Sequence, residues 1–417
     1  MCNDMAFYRY GGFCLAPAGG SLPRGAITVE APFSPLIFLV ERDPKNSRGY
    51  FAIRDIAELN EPEGANLLLP AVPEEARDAL ARFVCRRGAG VLNTAFARCF
   101  DVLEHWQKHG EKPVRLNLVG LGDVGGTVLT GLKLLGTELA GIGVFDPDGK
   151  KCARYEAELN QILPVDDDAV LPEVKIVSQS ALFDCGALLF TASRGVPPVG
   201  DEKNDVRMVQ YRANRDMLRA YAKQARDSGF CGLFLQISDP VDQLSRAVFL
   251  TSNQNEAGEF DWKGLLPEQV RGFGLGVMRA RANYCAARDD TDAANILAFG
   301  PHGNGLVVAN APDAGYDDAL SKRLTEQTVT ANLAIRKLGY KPYIAPGLSS
   351  AAISILRMLR GQWHDAAVPM GGVYFGCKTR LTKNGPEIFR QTLDGKLYAR
   401  IQDSYDKLKE FNAQWTD

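Results

Sequence analysis

Apolar and polar residues follow two different patterns along the chain, and the first pattern covers its N-terminal part. Two apolar stretches there, residues 26–40 and 50–56, are typical of strands. A helix is predicted to open near Pro73 and to end at Gly88, and a second helix covers residues 94–109. These elements predict a mixed α+β segment, and no group of residues in it indicates a chemistry.

From residue 114 the pattern changes to short apolar runs that alternate with amphipathic helices. This alternation favours a parallel sheet with right-handed crossover connections. The predicted strands are residues 114–120, 139–146, 174–178, 187–193 and 231–238. Further helices follow residue 270, and then come an antiparallel stretch over residues 371–383 and a final helix with an apolar stripe from Leu397 to Phe411.

Composition narrows the class of protein. The chain has 417 residues, of which 46% are apolar and 24% charged, so disordered and fibrous classes are excluded. Its 48 Lys and Arg residues nearly balance 50 Asp and Glu residues, and a net charge of −2 gives no reason to expect nucleic acid or an anionic membrane as a partner. No apolar run reaches the roughly 18 residues of a membrane span, and residues 1–12 lack a basic leader and an apolar signal core. We therefore expect a cytoplasmic protein.

Cysteine and histidine give no sign of a metal site. The nine cysteines are scattered and never spaced as CxxC, which favours buried reduced thiols over disulfides or a zinc knuckle. Of the four histidines, His105 and His109 stand one helical turn apart, but no third ligand is evident. We expect a solvated helix face there and no metal ion.

A glycine-rich turn follows the first strand of the alternating region. Gly120, Gly122 and Gly125, with Asp123 and Val124 between the last two, come directly after the run LNLV and open a helix with an apolar face. The first glycine permits a tight turn, the second lets a pyrophosphate approach the backbone, and the third lets helix and strand pack closely. The helix N-terminus supplies free N–H groups. The turn therefore predicts a dinucleotide-binding, Rossmann-type domain.

A carboxylate at the end of the next strand sharpens the cofactor prediction. Asp146 follows the third glycine by about 20 residues, where it can accept both hydroxyl hydrogen bonds of an adenosine ribose. This placement favours NAD over NADP. Lys150 and Lys151 lie close enough in the sequence to weaken that preference, although a solvated loop is the simpler interpretation of them.

From about residue 113 to the C-terminus the sequence resembles the lactate and malate dehydrogenase family. Four motifs carry the resemblance: the strand ALLFTAS with the following segment RGVPPVGDEKNDVRMVQYRAN, the strand and turn LFLQISDPVDQL, the segment RGFGLGVMRARANY, and Gly300-Pro301-His302-Gly303. Thr191 and Ala192 lie near the end of the strand ALLFTAS, and the resemblance implies that these two residues lie beside the cofactor.

The resemblance also implies roles in catalysis. Arg207 precedes Asn214 by seven residues, as in the family's mobile active-site loop and the helix after it. Arg207 is thus expected to polarise the substrate carbonyl when the loop closes, and Asn214 to help bind the substrate. Arg281 matches the arginine that binds the substrate carboxylate through two parallel hydrogen bonds. His302 matches the histidine that exchanges a proton with the substrate oxygen, a role that suits imidazole because it ordinarily titrates near neutral pH.

The sequence departs from the family at two positions. Met278 stands where the family has the aspartate that fixes the tautomer of the histidine, and Asp239 stands where the family has asparagine. Methionine is only a weak acceptor. We hypothesise that the carboxylate has moved from position 278 to position 239, so that Asp239 joins His302 in the catalytic group. The alternative is that both changes mark an altered reaction or an inactive site.

The substrate is less well determined. Val196 aligns with the loop residue that distinguishes substrates in the family, and an apolar residue there favours a monocarboxylic 2-oxo acid. Lys341 aligns with a threonine of the family's substrate pocket and would supply a cation there, as would Arg194. An acidic substrate is therefore the alternative.

We predict an α/β enzyme with three parts. Residues 1–112 form an extra N-terminal α+β domain, residues 113–250 a doubly wound parallel-sheet Rossmann domain with strand order 3-2-1-4-5-6, and residues 251–417 a mixed α+β catalytic domain. Its reaction would be reversible hydride transfer between NAD and a small L-2-hydroxy acid. The resemblance also implies a homodimer or homotetramer.

The sequence leaves two alternative functions. One is an NAD(H)-binding sensor or structural subunit that has kept the fold and lost the chemistry through Met278 and Asp239. The other is an NAD-dependent glycosidase of related fold, which would need a metal held by Cys and His, and the sequence shows no convincing pair.

Overall fold

The computed structural model describes residues 5–71, 78–109, 113–194, 206–291 and 295–414. The strands are β1 (Phe7–Tyr10), β2 (Phe13–Pro17), β3 (Ile27–Val29), β4 (Leu36–Val40), β5 (Tyr50–Ile53), β6 (Ala89–Asn93), β7 (Val114–Val119), β8 (Leu139–Phe145), β9 (Val174–Ile176), β10 (Ala187–Phe190), β11 (Leu233–Gln236), β12 (Val270–Gly272), β13 (Leu297–Phe299), β14 (Val307–Ala309), β15 (His364–Met370), β16 (Val373–Thr382) and β17 (Gly385–Ile388). The helices are α1 (Ala79–Arg87), α2 (Cys99–His109), α3 (Asp123–Leu135), α4 (Gly149–Leu159), α5 (Val206–Asp227), α6 (Val241–Ser252), α7 (Leu275–Arg288), α8 (Asp318–Lys337), α9 (Ile353–Leu359) and α10 (Gly395–Gln414). A π-helical segment, Pro346–Ala352, leads directly into α9. Within these residues no helix combines the length and the apolar character that crossing a membrane requires.

The N-terminal part forms a six-stranded sheet of its own, in the order β3-β1-β2-β4-β6-β5. Strands β2, β4 and β6 run parallel and are almost fully buried, whereas β1, β3 and β5 each run antiparallel to a neighbour. Helix α1 packs on one face; Asp78 caps its first turn and Gly88, with φ +69°, ends it. The predicted opening of this helix at Pro73 lies outside the described residues.

The start predicted for the second helix is wrong. The sequence pattern placed it at residue 94, but α2 begins at Cys99. The Ala97 N–H donates to the carbonyl of Trp262 at 3.0 Å, so this backbone group is committed to a distant loop and not to a helical turn. The contact was not visible in the local sequence because it joins residues far apart in the chain.

The alternating region forms a parallel sheet. Its strand order, β9-β8-β7-β10-β11-β12, is the predicted 3-2-1-4-5-6 arrangement with all neighbours parallel. Strand β12 then pairs antiparallel with β15, and the β15-β16-β17 meander extends the sheet to nine strands. The antiparallel stretch predicted over residues 371–383 is the second half of the β15–β16 hairpin. The predicted α/β fold class is therefore confirmed.

One apolar core joins the N-terminal sheet to the central sheet, and α2 lies between them. Its buried members come from both sheets and from the helices around them: Leu15, Leu39, Phe96, Val102, Leu188, Phe234 and Val248. The central sheet also takes strands from both sides of residue 250. The domain boundaries at residues 112 and 250 stay predictions, since a shared core and a shared sheet cross them.

A buried carboxylate reinforces the junction between the two sheets. Glu268, just before β12, is 2% exposed, and its oxygens accept the N–H groups of Gly49 and Tyr50 at 2.9 to 3.0 Å. Burial raises the pKa of Glu268 to about 7, although the hydrogen bonds act in the opposite direction. The backbone that leads into β5 is therefore tied to the start of β12.

Glu268→Ala is expected to lower the free energy of unfolding by about 2 to 4 kcal/mol, because two buried N–H groups lose their acceptor. Urea unfolding of the full chain measures the change. Glu410→Ala, on an exposed position of α10, is the control and should stay within about 0.5 kcal/mol of the parent. Equal stabilities of the two variants would contradict the role given to Glu268.

Candidate functional site

The glycine-rich turn connects β7 to α3 under tight steric limits. Gly120 has φ +97°, and a Cβ atom on it would lie 2.7 Å from the Ala192 nitrogen. A Cβ atom on Gly125 would lie 2.0 Å from the Gly120 carbonyl oxygen, so neither position admits a side chain without rearrangement. At Gly122, by contrast, nothing lies within 4 Å of the Cβ position. The N-terminus of α3 is therefore open to a ligand on this side.

Residues that follow β10 and β11 hold the glycine-rich turn in place. Strand β10 stops at Phe190, earlier than predicted, and the Thr191 hydroxyl donates to the Gly120 carbonyl at 2.7 Å. The Ser238 hydroxyl, after β11, donates to the Ala192 carbonyl at 2.6 Å. Thr191 and Ala192 thus lie at the glycine-rich turn and hold its backbone in place.

Asp146 follows β8 and links that strand to the same turn. Its Oδ2 accepts the Leu121 N–H at 2.7 Å and its Oδ1 accepts the Asp148 N–H at 2.9 Å. Each carboxylate oxygen has two lone pairs, so one on each remains for a ribose hydroxyl. Lys151 lies farther away, with Nζ 3.8 Å from Asp146 Oδ1.

A cavity of about 500 Å³ opens beside Asp146. Aromatic, aliphatic and thiol side chains line much of it: Phe145, Pro147, Cys152, Ile176, Val177 and Tyr221. Its volume suits a nucleoside, and the open N–H groups of the turn suit a pyrophosphate. The residues present therefore fit an adenine dinucleotide.

His302 and Asp239 lie side by side at the carboxyl end of the central sheet. Asp239 follows β11, and its Oδ1 is 3.3 Å from His302 Nδ1. The contact lacks the alignment of a hydrogen bond. The imidazole is mostly buried and the carboxylate is half exposed, with side-chain exposures of 17% and 52%. Asp239 is therefore the more exposed partner of the pair.

Two further residues fix the position of His302. Asp242, in the first turn of α6, is 3% exposed, and its Oδ2 accepts the His302 backbone N–H at 3.0 Å. Burial raises the pKa of Asp242 to about 7, while the hydrogen bond and the charge of His302 oppose that rise. A Cβ atom on Gly274 would lie 2.7 Å from His302 Nδ1. The imidazole is therefore held through its own backbone and packed against a glycine.

Arg281 lies on α7 within electrostatic reach of the same aspartate. Burial lowers the pKa of Arg281, and the negative charge of Asp239 raises it. The guanidinium Nη1 is 3.8 Å from the sulfur of Met278, which is itself 3% exposed. Asp239 is thus close to both the imidazole and the guanidinium, whereas position 278 presents no carboxylate to either.

Asn214 is placed beneath this group. It is fully buried on α5, its amide donates to the Asp239 carbonyl at 2.8 Å, and its oxygen accepts the Arg194 N–H at 2.9 Å. These bonds give Asn214 a role in positioning the loops after β10 and β11. Its expected contact with the substrate stays a prediction from the resemblance.

Lys341 is placed at the cofactor turn. Its Nζ lies 3.1 Å from Asp123 Oδ2, and the two side chains are 82% and 50% exposed. Asp123 and Val124 are the first two residues of α3. The cation that the alignment put in the substrate pocket is therefore paired at the glycine-rich turn.

Two predicted residues cannot be located in the site. Val196 lies outside the described residues. Arg207 belongs to the first turn of α5, but its side chain is also outside the described part of the chain. Their roles stay predictions from the resemblance.

Sequence reasoning missed Asp242 and Gly274. Asp242 follows Asp239 by three residues, and an acidic residue so soon after the apolar run of β11 was a usable signal. Gly274 lies in the run RGFGLG, where nothing marked it, because its closeness to His302 arises only when β12 and the loop after β13 meet.

Known proteins are similar to this chain in sequence and in fold, although no protein-family model matches the chain. The L-lactate dehydrogenase of Staphylococcus haemolyticus (strain JCSC1435) is 23% identical over 326 residues, which are 72% of this chain and 96% of that protein. The L-lactate dehydrogenase of Mesomycoplasma hyopneumoniae (strain 232) is 26% identical over 205 residues, which are 48% of this chain and 58% of that protein.

Solved structures give the same result. MGS-M5, a lactate dehydrogenase from a Medee basin deep-sea metagenome library, aligns with a TM-score of 0.58 and 19% identity over 73% of this chain and 100% of its own. The minor L-lactate dehydrogenase from Enterococcus mundtii, in a ligand-bound form, aligns with a TM-score of 0.59 and 17% identity over 73% of this chain and 98% of its own.

These likenesses define an α/β protein with the lactate dehydrogenase fold. The resemblance to the lactate and malate dehydrogenase family, predicted from the motifs, is confirmed. About a quarter of this chain lies outside the aligned structures, in agreement with an additional N-terminal domain.

The buried carboxylate beside His302 predicts a pH-dependent stability. The pKa of Asp242 is raised from 3.8 to about 7 because the folded protein favours the neutral carboxyl group. The contribution of Asp242 to the free energy of unfolding is therefore complete below about pH 4 and is lost as the pH rises through about 7. Asp242→Asn keeps an oxygen acceptor for the His302 N–H and cannot ionise. Its free energy of unfolding, relative to the parent, should therefore rise by about 2 kcal/mol between pH 5 and pH 8.

Urea unfolding at the two pH values measures this difference, with Asp227→Asn at an exposed position of α5 as the control. A difference between Asp242→Asn and the parent that does not change with pH would mean that Asp242 is ionised throughout.

Proposed function

We propose that this protein is an NAD-dependent oxidoreductase that transfers a hydride reversibly between the cofactor and a small L-2-hydroxy or 2-oxo acid. The contact between His302 and Asp239, with Arg281 in electrostatic reach of the same carboxylate, carries the proposal. The open glycine-rich turn and the cavity beside Asp146 support the cofactor. The similarity to L-lactate dehydrogenases supports the class of reaction.

In this mechanism Arg281 binds the substrate carboxylate. A guanidinium donates two parallel hydrogen bonds to a carboxylate, and partial burial strengthens them because less water competes. This anchor fixes C2 of the substrate next to His302. By the family resemblance, Arg207 approaches the carbonyl oxygen from the start of α5 and stabilises the negative charge that grows on it.

His302 moves the proton. NAD bound at the glycine-rich turn would supply the acceptor for the C2 hydride during oxidation of the hydroxy acid, and His302 Nε2 would accept the hydroxyl proton. The imidazolium so formed lies beside Asp239, whose negative charge stabilises it from the Nδ1 side. In the reverse direction His302 returns the same proton to the carbonyl oxygen. Asp242 and Gly274 keep the ring in place while its charge changes.

The placement of Lys341 favours a monocarboxylic substrate. A second carboxylate on the substrate would need a buried counter-charge. Lys341 is exposed and paired with Asp123, so it is not a free cation for the substrate pocket. We therefore propose a 2-oxo acid with a short apolar side chain.

NADH oxidation by the purified full chain, followed at 340 nm with pyruvate, a branched 2-oxo acid and oxaloacetate, tests the function. Turnover is expected with pyruvate or the branched acid. His302→Asn should lower turnover by about 100-fold or more, because acid–base catalysis contributes that much. His105→Asn on α2 is the matched control and should leave it unchanged.

Two results would point elsewhere. A preference for oxaloacetate would contradict the monocarboxylic substrate and favour a cation such as Arg194. No turnover with any of the three acids, while NADH still binds, would favour the sensor or structural subunit, to which the loss of the family's aspartate at Met278 also points.

The relocation of the carboxylate gives a second test. Asp239→Asn should lower turnover by about 100-fold and change the pH dependence tied to His302, because the neutral amide no longer stabilises the imidazolium. Met278→Leu keeps the buried volume and should change turnover less than about threefold. Steady-state kinetics across pH 5 to 9 compares the two variants. Small and equal effects would dispose of the idea that Asp239 replaces the missing aspartate.

A further inference from the structure

We propose that Lys341 is a determinant of dinucleotide binding: it neutralises the Asp123 carboxylate inside the pyrophosphate cradle and so lets an anionic cofactor bind there. This inference rests on the proposed function, because it takes the glycine-rich turn to be the cofactor site. It assigns to Lys341 a partner and a ligand that differ from those expected from its alignment.

Asp123 puts a negative charge where the cradle must accept negative charge. It is the first residue of α3, between the open Gly122 and Val124, and its side chain is 50% exposed. The N–H groups at this end of a helix attract any anion, the carboxylate included. A dianionic pyrophosphate on the same N–H groups therefore meets repulsion from Asp123, unless a cation accompanies that carboxylate.

Lys341, which lies 218 positions after Asp123 in the sequence, supplies this cation. Its Nζ lies 3.1 Å from Asp123 Oδ2. The side chain is 82% exposed, and an ammonium group has three donors. Lys341 can therefore neutralise the charge of Asp123 while its side chain stays on the surface of the protein.

The backbone delivers Lys341 to this position by close packing. The Tyr343 N–H donates to the Lys341 carbonyl at 3.1 Å, and the Gly347 N–H donates to the Tyr343 carbonyl at 2.9 Å. A Cβ atom on Gly347 would lie 2.9 Å from Thr127 on α3. The loop after α8 is thus held against the first turns of α3.

A second glycine allows α3 and the π-helical segment to come close together. A Cβ atom on Gly131 of α3 would lie 2.8 Å from the Ala352 side chain, at the end of the π-helical segment. Because two glycines, one on each partner, allow this contact, the loop that carries Lys341 has a defined place over the turn. The ion pair itself is exposed, and the packed glycine contacts fix the segment from which Lys341 extends.

A double-mutant cycle on NADH binding tests the inference. The dissociation constant is measured by fluorescence titration of the full chain at low salt, without substrate, for the parent, Lys341→Met, Asp123→Asn and the double variant. Lys341→Met should weaken NADH binding about 10-fold in the parent and at most about 2-fold in the Asp123→Asn background. Lys337→Met, at the exposed C-terminal end of α8, is the control and should leave the dissociation constant unchanged.

Each outcome has one meaning. The same affinity for Lys341→Met and Lys337→Met would overturn the inference, and so would an equal loss in both backgrounds, because Lys341 would then act without Asp123. If the parent itself does not bind NADH, the proposed function fails. Thermal unfolding of every variant shows that the compared proteins are folded.

Discussion

The parallel pairing of β7 with its neighbours is the constraint on which the site depends. Parallel strands end at the same edge of a sheet, so the residues after them meet there. The glycine-rich turn follows β7, Asp146 follows β8, Thr191 follows β10 and Asp239 follows β11. Gly274 follows β12 and opens the helix that carries Arg281. Residues spread over about 160 positions, from Gly120 to Arg281, are brought to one edge of the sheet by the strand order.

The sequence predicted the parts of the structure that have local signals. Strand order, the glycine-rich turn and the role proposed for Asp146 came from spacing and motif, and the role proposed for His302 came from the family resemblance. The pairing of Asp239 with His302 was predicted by comparing two departures from the family pattern. The sequence loses an acid at Met278 and gains one at Asp239. Such a comparison works because a histidine that carries a charge needs a partner.

Other features had no local signal. The start of α2 is set by the Trp262 carbonyl, and the place of Lys341 is set by packing of the π-helical segment on α3. An alignment gives the position of a lysine along the chain but not the direction of its flexible side chain. Long-range contacts of this kind appear only after the sheets and helices have packed.

Two buried carboxylates, Asp242 and Glu268, serve the backbone and have no ion-pair partner of opposite charge within hydrogen-bond range among their described contacts. Each accepts N–H groups from a distant loop, one from His302 and the other from the loop before β5. Burial raises the pKa of both to about 7. At these two positions the carboxyl group therefore serves as a hydrogen-bond acceptor that links two segments of the backbone.

The π-helical segment has a second neighbour besides α3. The Ser350 hydroxyl donates to the Gly274 carbonyl at 2.8 Å and accepts the Val277 N–H at 2.9 Å, at the start of α7. This short segment thus contacts both the helix that follows the glycine-rich turn and the start of the helix that carries Arg281. An insertion or deletion of a single residue in this largely buried segment would disturb its contacts with α3 or with α7, so its length is constrained from both sides.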